Sequence, residues 1–305
     1  MLDVITDPLQ YEFFRNGVIV ATLVGALCGL MGVYIVLRRM SYIGHGLSHS
    51  IFGGAVVAYI LNWNFYLGAG MWGFLSALLI NATGRRRNLG ADAAIGIITT
   101  ASFALGVAII SKERSFTRNF EAALFGNILG VTPKDIAIIG FVFVTVLIAV
   151  FLGYRQLLFS TFDAEIARVY GVKTSWVDAG FALALAATVV VSMNIVGVTL
   201  IAAAIVIPPS TARLVTSSFG RLIVISTLLG AFVGMAGMFL SFEYDIASGA
   251  AIVLLGTAVF SVVFAATGIR TWLRRRAHFG VERPAFAPEN PKPALPGAVL
   301  LQDDH

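Results

Sequence analysis

Gly44-His45-Gly46-Leu47-Ser48-His49-Ser50 opens one long apolar run, which continues to Leu61. It stands just behind another, Gly17–Leu37, that Arg38 and Arg39 bring to an end. A helix needs about 20 apolar residues to cross a bilayer, and both runs approach that length. The junction between them decides the fold class and carries two of the four histidines. On a helix His45 and His49 stand four residues apart, so both rings share a face. That spacing suits two nitrogen ligands on one divalent metal. It equally suits two rings that hydrogen-bond to neighbouring helices. Ionisable side chains are costly inside a membrane, which makes the pair a functional candidate.

Working outward, the 305-residue chain is 58% hydrophobic and only 12% charged, against about 25% charged in a soluble domain. It reads as an all-α polytopic membrane protein. The net charge of +5 does not point to nucleic acid, because the basic residues cluster between apolar runs. The single cysteine, Cys28, excludes an internal disulfide and speaks against thiol redox chemistry. Asp3 and Asp7, and a first apolar run with no cleavage site, speak against a secretory signal.

Residues 1–16 read as an interfacial lead with an aromatic patch, Tyr11, Phe13 and Phe14. Nine spans are expected, with eight as the alternative. They cover 17–37, 44–61, 66–82, 92–110, 135–153, 176–193, 195–207, 222–242 and 247–267. The sixth and seventh are short, separated by Asn194 as a polar break or helix cap, and one of them could be re-entrant. Between spans four and five, Phe116, Phe120, Leu124 and Phe125 suggest a surface-lying segment. Asp92, at the start of span four, is read as an N-cap. Residues 17–268 form the permease domain. The segment 269–305 is a basic stop and a proline-rich tail, expected to be disordered.

Positive charge orients the spans. Arg38, Arg39, the run 85–87, Arg155, Arg168, Lys173, Arg213, Arg221, Arg270 and the run 274–276 fall on one side and are placed in the cytoplasm. Arg15, Lys112, Arg114, Arg118 and Lys134 fall on the other. This predicts an external N-terminus and a cytoplasmic C-terminus.

Four blocks, in order, resemble the membrane subunits of ABC transporters that import zinc, manganese or iron. They are Leu37-Arg38-Arg39-Met40-Ser41-Tyr42-Ile43-Gly44 with Leu47-Ser48-His49; Phe162-Asp163-Ala164-Glu165-Ile166-Ala167-Arg168-Val169-Tyr170-Gly171-Val172; Val196-Gly197-Val198-Thr199-Leu200 through Ile207-Pro208-Pro209-Ser210-Thr211-Ala212-Arg213; and Asp245-Ile246-Ala247-Ser248-Gly249-Ala250-Ala251-Ile252-Val253. The resemblance implies an ABC importer permease of the cobalamin and metal importer type in a prokaryotic plasma (inner) membrane. It implies a pore formed with a second copy of this chain, two copies of a separate ATPase, and an external metal-binding protein. No permanent cofactor is implied; the metal, zinc or manganese with iron as the third cargo, is what is carried. The chain has no G-x-x-x-x-G-K-[ST] run, consistent with nucleotide chemistry residing on a partner. The chain itself is therefore not expected to be an enzyme.

The resemblance also implies site residues. Pro208, Pro209, Ser210, Thr211, Arg213, Leu214 and Arg221 correspond to the region that couples to the ATPase. There the prolines are expected to break the span and Ser210 or Thr211 to cap a new short helix. Asp163, Glu165 and Arg168 form a second ATPase-contact loop or an interfacial helix. The family's G-D-A-x-S-H reads Gly44-His45-Gly46-Leu47-Ser48-His49 here, so the metal-path role carries to His49, and His45 replaces the usual aspartate. Either His45 substitutes as a ligand or the path is altered for another substrate. Asp245, where Ala247 replaces a common proline, and Glu243 lie at the predicted external mouth with Asn194. The two acids either attract cations or are a solvated loop pair, and Asn194 is either a polar gate residue or a helix cap.

Three other classes compete. A metalloprotease would need H-E-x-x-H, and Gly46 follows His45. A secondary transporter would need acids in mid-span and internal repeats. A permease for a metal chelate or another small cargo shares the architecture and is the alternative. Metal ligation requires neutral imidazole, so transport is expected to fall as pH drops through the imidazole range.

Overall fold

The computed structural model describes residues 8–84, 91–112, 126, 128–198 and 200–279, without the side chains at 91, 110, 129, 194, 195 and 274–279. Among them there is no strand. The helices are α1 (Glu12–Leu37), α2 (Ile43–Ile60), α3 (Phe65–Gly84), α4 (Ala91–Lys112), α5 (Pro133–Leu152), α6 (Tyr154–Phe162), α7 (Ala164–Val169), α8 (Thr174–Val196), α9 (Ile201–Val215), α10 (Phe219–Tyr244) and α11 (Ser248–Phe279). The chain divides into two compact units, residues 1–265 and 266–305. The first holds the helix bundle, and the second begins within α11. The surface-lying segment expected around Phe116–Phe125 and the proline-rich tail lie outside the described residues, as does the arginine run 85–87.

Eight of the nine predicted spans each fall on a helix, while the span 195–207 straddles the end of α8, the turn at Gly197 and the first half of α9. Seven of these helices, α1, α3, α4, α5, α8, α10 and α11, are long and apolar enough to cross a membrane. The two that depart are instructive. α2 has 18 residues, but His45, Ser48, His49 and Ser50 crowd its first two turns. α9 has 15, about 22 Å of helix against a hydrocarbon core of about 30 Å.

α1 is the central post. Within its apolar window 72% of residues are buried, against 17% for α5. α10 runs antiparallel along it, with Gly25 facing Gly230, Gly29 facing Ser226 and Ala21 facing Gly234. A methyl group on Gly25 would collide with the Gly230 carbonyl. Ser226 Oγ donates to Gly29 O at 2.6 Å. In lipid, where apolar surface gives no drive to associate, such close backbone approach and an interhelical hydrogen bond hold two helices together. α8 is also antiparallel to α1: Cys28 Sγ and Ser192 Oγ lie 3.6 Å apart, and the Tyr34 and Phe181 rings 6.0 Å apart. α2 and α4 run parallel, Gly46 against Ile95 and Thr99, Gly53 against Ser102 and Gly106.

These pairings define two ends. At one, Phe14 packs on Phe239 and Phe242 at 5.2 and 5.0 Å. At the other, Tyr34 packs on Phe219 at 5.7 Å, and Arg38 reaches α6 and α8.

Three local expectations are corrected. Pro208 and Pro209 do not break the span; both lie inside α9. Each removes a donor to the carbonyl four residues back, yet both rings are buried and packing against α1 holds the helix, with Pro209 and Ile205 seated at Gly32. Ser210 and Thr211 therefore cap nothing, and Thr211 Oγ1 donates to Ile207 O at 2.8 Å within the helix. Asn194 is neither break nor cap, since α8 continues to Val196 and ends on Gly197 at φ 87°. The segment around Asp163, read as a contact loop or an interfacial helix, is helical on both sides, with Asp163 capping α7 through Glu165 N and Ile166 N at 3.0 and 2.9 Å.

Candidate functional site

The histidine pair is built as its spacing predicts. The His45 and His49 rings meet edge to face, centroids 4.4 Å apart at 77°. Phe103 of α4 stands edge-on to His49 at 4.9 Å. His45 is exposed and His49 half-buried. His49 Nδ1 is buried without a hydrogen-bond partner among the described residues. A buried polar atom left unsatisfied costs about 1–3 kcal/mol. The pair faces an open groove of about 520 Å³ between α2 and α4, with Tyr42 on the α2 side and Asp92, Thr99 and Phe103 on the α4 side.

The groove has a rigid back. Ser48 Oγ lies 2.7 Å from His45 O and 3.1 Å from Val198 O, both acceptors. The hydroxyl ties the first turn of α2 to the turn between α8 and α9, which Gly197 makes possible by its positive φ. Gly46 allows α2 to press on Ile95 and Thr99.

Asp245 is not part of this site. It caps α10 in the left-handed region, φ 52°, and is exposed with Glu243. α10 runs from the Arg38 end to the Phe14 end, about 39 Å for 26 residues. The histidines sit in the first two turns of α2, where Ser48 meets Val198 O, past the end of α8 opposite to its Asp178 contact with Arg38. The metal residues expected from the sequence thus occupy two places, and among the described residues no three of His, Cys, Asp and Glu could hold one ion.

The two segments expected to meet an ATPase are neighbours. Phe219, at the start of α10, packs on Phe162 at 5.9 Å and Tyr154 at 5.5 Å. It joins α6, which α7 follows directly, to the start of α10 after the α9 turn. Arg213, Arg221, Glu165 and Arg168 are exposed there, beside Val169 and Tyr170, which are 85% and 78% exposed.

Sequence reasoning missed two features. Arg38 is more than a flanking charge. Its Nη1 donates to Asp178 Oδ1 at 2.8 Å, Nη2 to Ser160 Oγ at 3.2 Å and Nε to Thr161 Oγ1 at 3.2 Å, and it stacks 4.6 Å over Phe181. Asp92, read as a cap, is the second residue of α4 and lines the histidine groove. Its spacing to Thr99 and Phe103 places all three on one face; nothing in the sequence says which helix that face meets.

The ABC 3 transport family model matches residues 10–267. The chain is 34% identical over 256 residues to the manganese transport system membrane protein MntC of Halalkalibacterium halodurans, covering 84% of this chain and 88% of that one. It is 34% identical over 284 residues to the chelated iron transport system membrane protein YfeC of Yersinia pestis, covering 90% and 96%. Among solved structures, PsaBC from Streptococcus pneumoniae in complex with Fab superimposes with a TM-score of 0.78 at 32% identity, over 87% of this chain and 95% of that one. With its helix order, its groove and these matches over most of its length, the chain belongs to the ABC 3 transport family.

Proposed function

We propose that this chain is the membrane-spanning permease of an ATP-driven importer for a divalent transition metal. Manganese and iron, which the relatives' names carry, are the leading cargoes and zinc the third. One observation carries the reading: two imidazoles in contact at a groove, one with a buried nitrogen that has no partner among the described residues. Histidine nitrogens suit zinc and iron, and carboxylate oxygens suit manganese. The chain acts with a second copy of itself, two copies of a separate ATPase, and an external metal-binding protein. The Arg38 end, where Arg168, Arg213 and Arg221 are exposed, faces the cytoplasm, with the N-terminus outside. Asp245 and Glu243 then stand at the external mouth, where their charge draws cations inward. ATP-driven motion enters through the end of α9, the turn at 216–218 and the neighbouring α6–α7, and α9 passes it to α1 and α2.

The test is radiolabelled manganese, iron and zinc uptake in cells carrying the whole transporter. His49→Ala is expected to abolish uptake and His45→Asp to shift preference toward manganese. Normal transport by both variants at equal expression would remove the histidines from the path. The groove's volume favours a second reading, since about 520 Å³ exceeds what a bare ion needs: the cargo is a small metal chelate. Uptake driven by binding protein loaded with free metal decides for the ion; uptake only with the chelator present decides for the chelate.

A further inference from the structure

We propose that Asp92 is a separate station on the metal path, one helical turn beyond His45 toward the Arg38 end. This rests on the histidine-groove reading and extends it to a residue on another helix. Because α2 and α4 are parallel, the contacts at Gly46 and Gly53 set their register. Gly46 meets Ile95 and Thr99, and Gly53 meets Ser102 and Gly106. Both pairs match position n on α2 with about n+51 on α4. Position 96 is thus level with His45, position 100 with His49, and Asp92 stands four residues, about 6 Å, below His45. His49 stands about 6 Å above His45 by the same rise. The three form a ladder with rungs one turn apart along one groove.

The ladder is not a chelate. No three of His, Cys, Asp and Glu among the described residues could hold one ion together. A group in the groove but outside a shared coordination sphere can still take the ion next. Asp92 is the sole acid in α4, and Lys112 its sole base. On the groove face the Thr99 hydroxyl is engaged with Ile95 O at 2.7 Å. Asp92 is exposed, so its carboxylate holds an ion weakly enough to release it. Hard oxygen at the last rung suits manganese better than a third imidazole would. An acid in the first turn of α4 also favours the helix dipole. That stabilising role alone would ask for charge but not for metal.

The experiment is radiolabelled manganese uptake by membrane vesicles carrying the whole transporter, with thermal unfolding measured on the same complexes. Asp92→Asn and Asp92→Ser keep a polar side chain at the helix start and remove the charge. Both are expected to lower uptake by about tenfold or more, as loss of a metal-site carboxylate does, with unchanged unfolding midpoints. Asp92→Glu is expected to restore most of the rate, and Asp92→His to favour zinc over manganese. Wild-type uptake by Asp92→Asn and Asp92→Ser, with His49→Ala inactive, would overturn the station and leave the histidine site standing. Losses that only follow a lowered midpoint would overturn it too. Normal uptake by His49→Ala would overturn the histidine path and the station with it.

Discussion

Replacing Arg38 tests how the Arg38 end is held together. The guanidinium, 11% exposed, joins Asp178, 22% exposed, and the two α6 hydroxyls; Ser160 Oγ also donates to Asp178 Oδ1 at 3.0 Å. Arg38→Ala removes three hydrogen bonds, a stacking contact and the counter-charge of Asp178 at once. Breaking a fully buried ion pair costs about 3–5 kcal/mol and an exposed one under about 1 kcal/mol. With both partners mostly shielded, the expected loss is about 2–3 kcal/mol. Asp178→Asn keeps the shape and one acceptor and should cost about 1 kcal/mol. The double variant should fall short of the sum by about 1 kcal/mol or more, because both changes remove one interaction. Thermal unfolding of the complex in lipid nanodiscs reads this as a midpoint lowered by about 5 °C for Arg38→Ala. Strict additivity, or an Arg38→Ala midpoint unchanged from wild type, would refute the network as a clamp between α1, α6 and α8.

Two further outcomes follow from the packing. Gly25→Ala should cost about 3 kcal/mol, since its methyl meets the Gly230 backbone, which cannot step aside; Gly140→Ala, with open space around it, should be neutral or mildly stabilising. Yield of folded complex on size-exclusion chromatography separates the two. Ser48→Ala frees the first turn of α2 from the Gly197 turn at about 1 kcal/mol. It should lower manganese uptake several-fold more than it lowers thermal stability; equal losses would mean that Ser48 only holds the fold.

The spans were readable because membrane insertion is a length-and-composition rule applied along the chain. The histidine pair was readable because four residues is one helical turn. The prolines misled because a local breaking rule was overridden by contacts from α1 at Gly32. Asn194 misled because a polar side chain in an apolar run resembles a terminus, whereas the backbone turns three residues later at Gly197. Arg38 and Asp178 are separated by 140 residues, beyond any pattern within one helix.

By itself, then, the order of residues determined an all-helical membrane protein, the sequence of its spans, the charge asymmetry of its ends and the shared face of His45 and His49. Each follows from periodicity or composition within a single segment. Tertiary structure alone decided that α2 and α4 are parallel neighbours in a fixed register, which brings Asp92 to the histidine groove. It also left Asp245 as the exposed cap of α10, outside the histidine groove. Which helix meets which, and at what level, rests on small residues such as Gly46 and Gly53 meeting partners far along the chain. The fit of two surfaces is a property of neither segment taken alone.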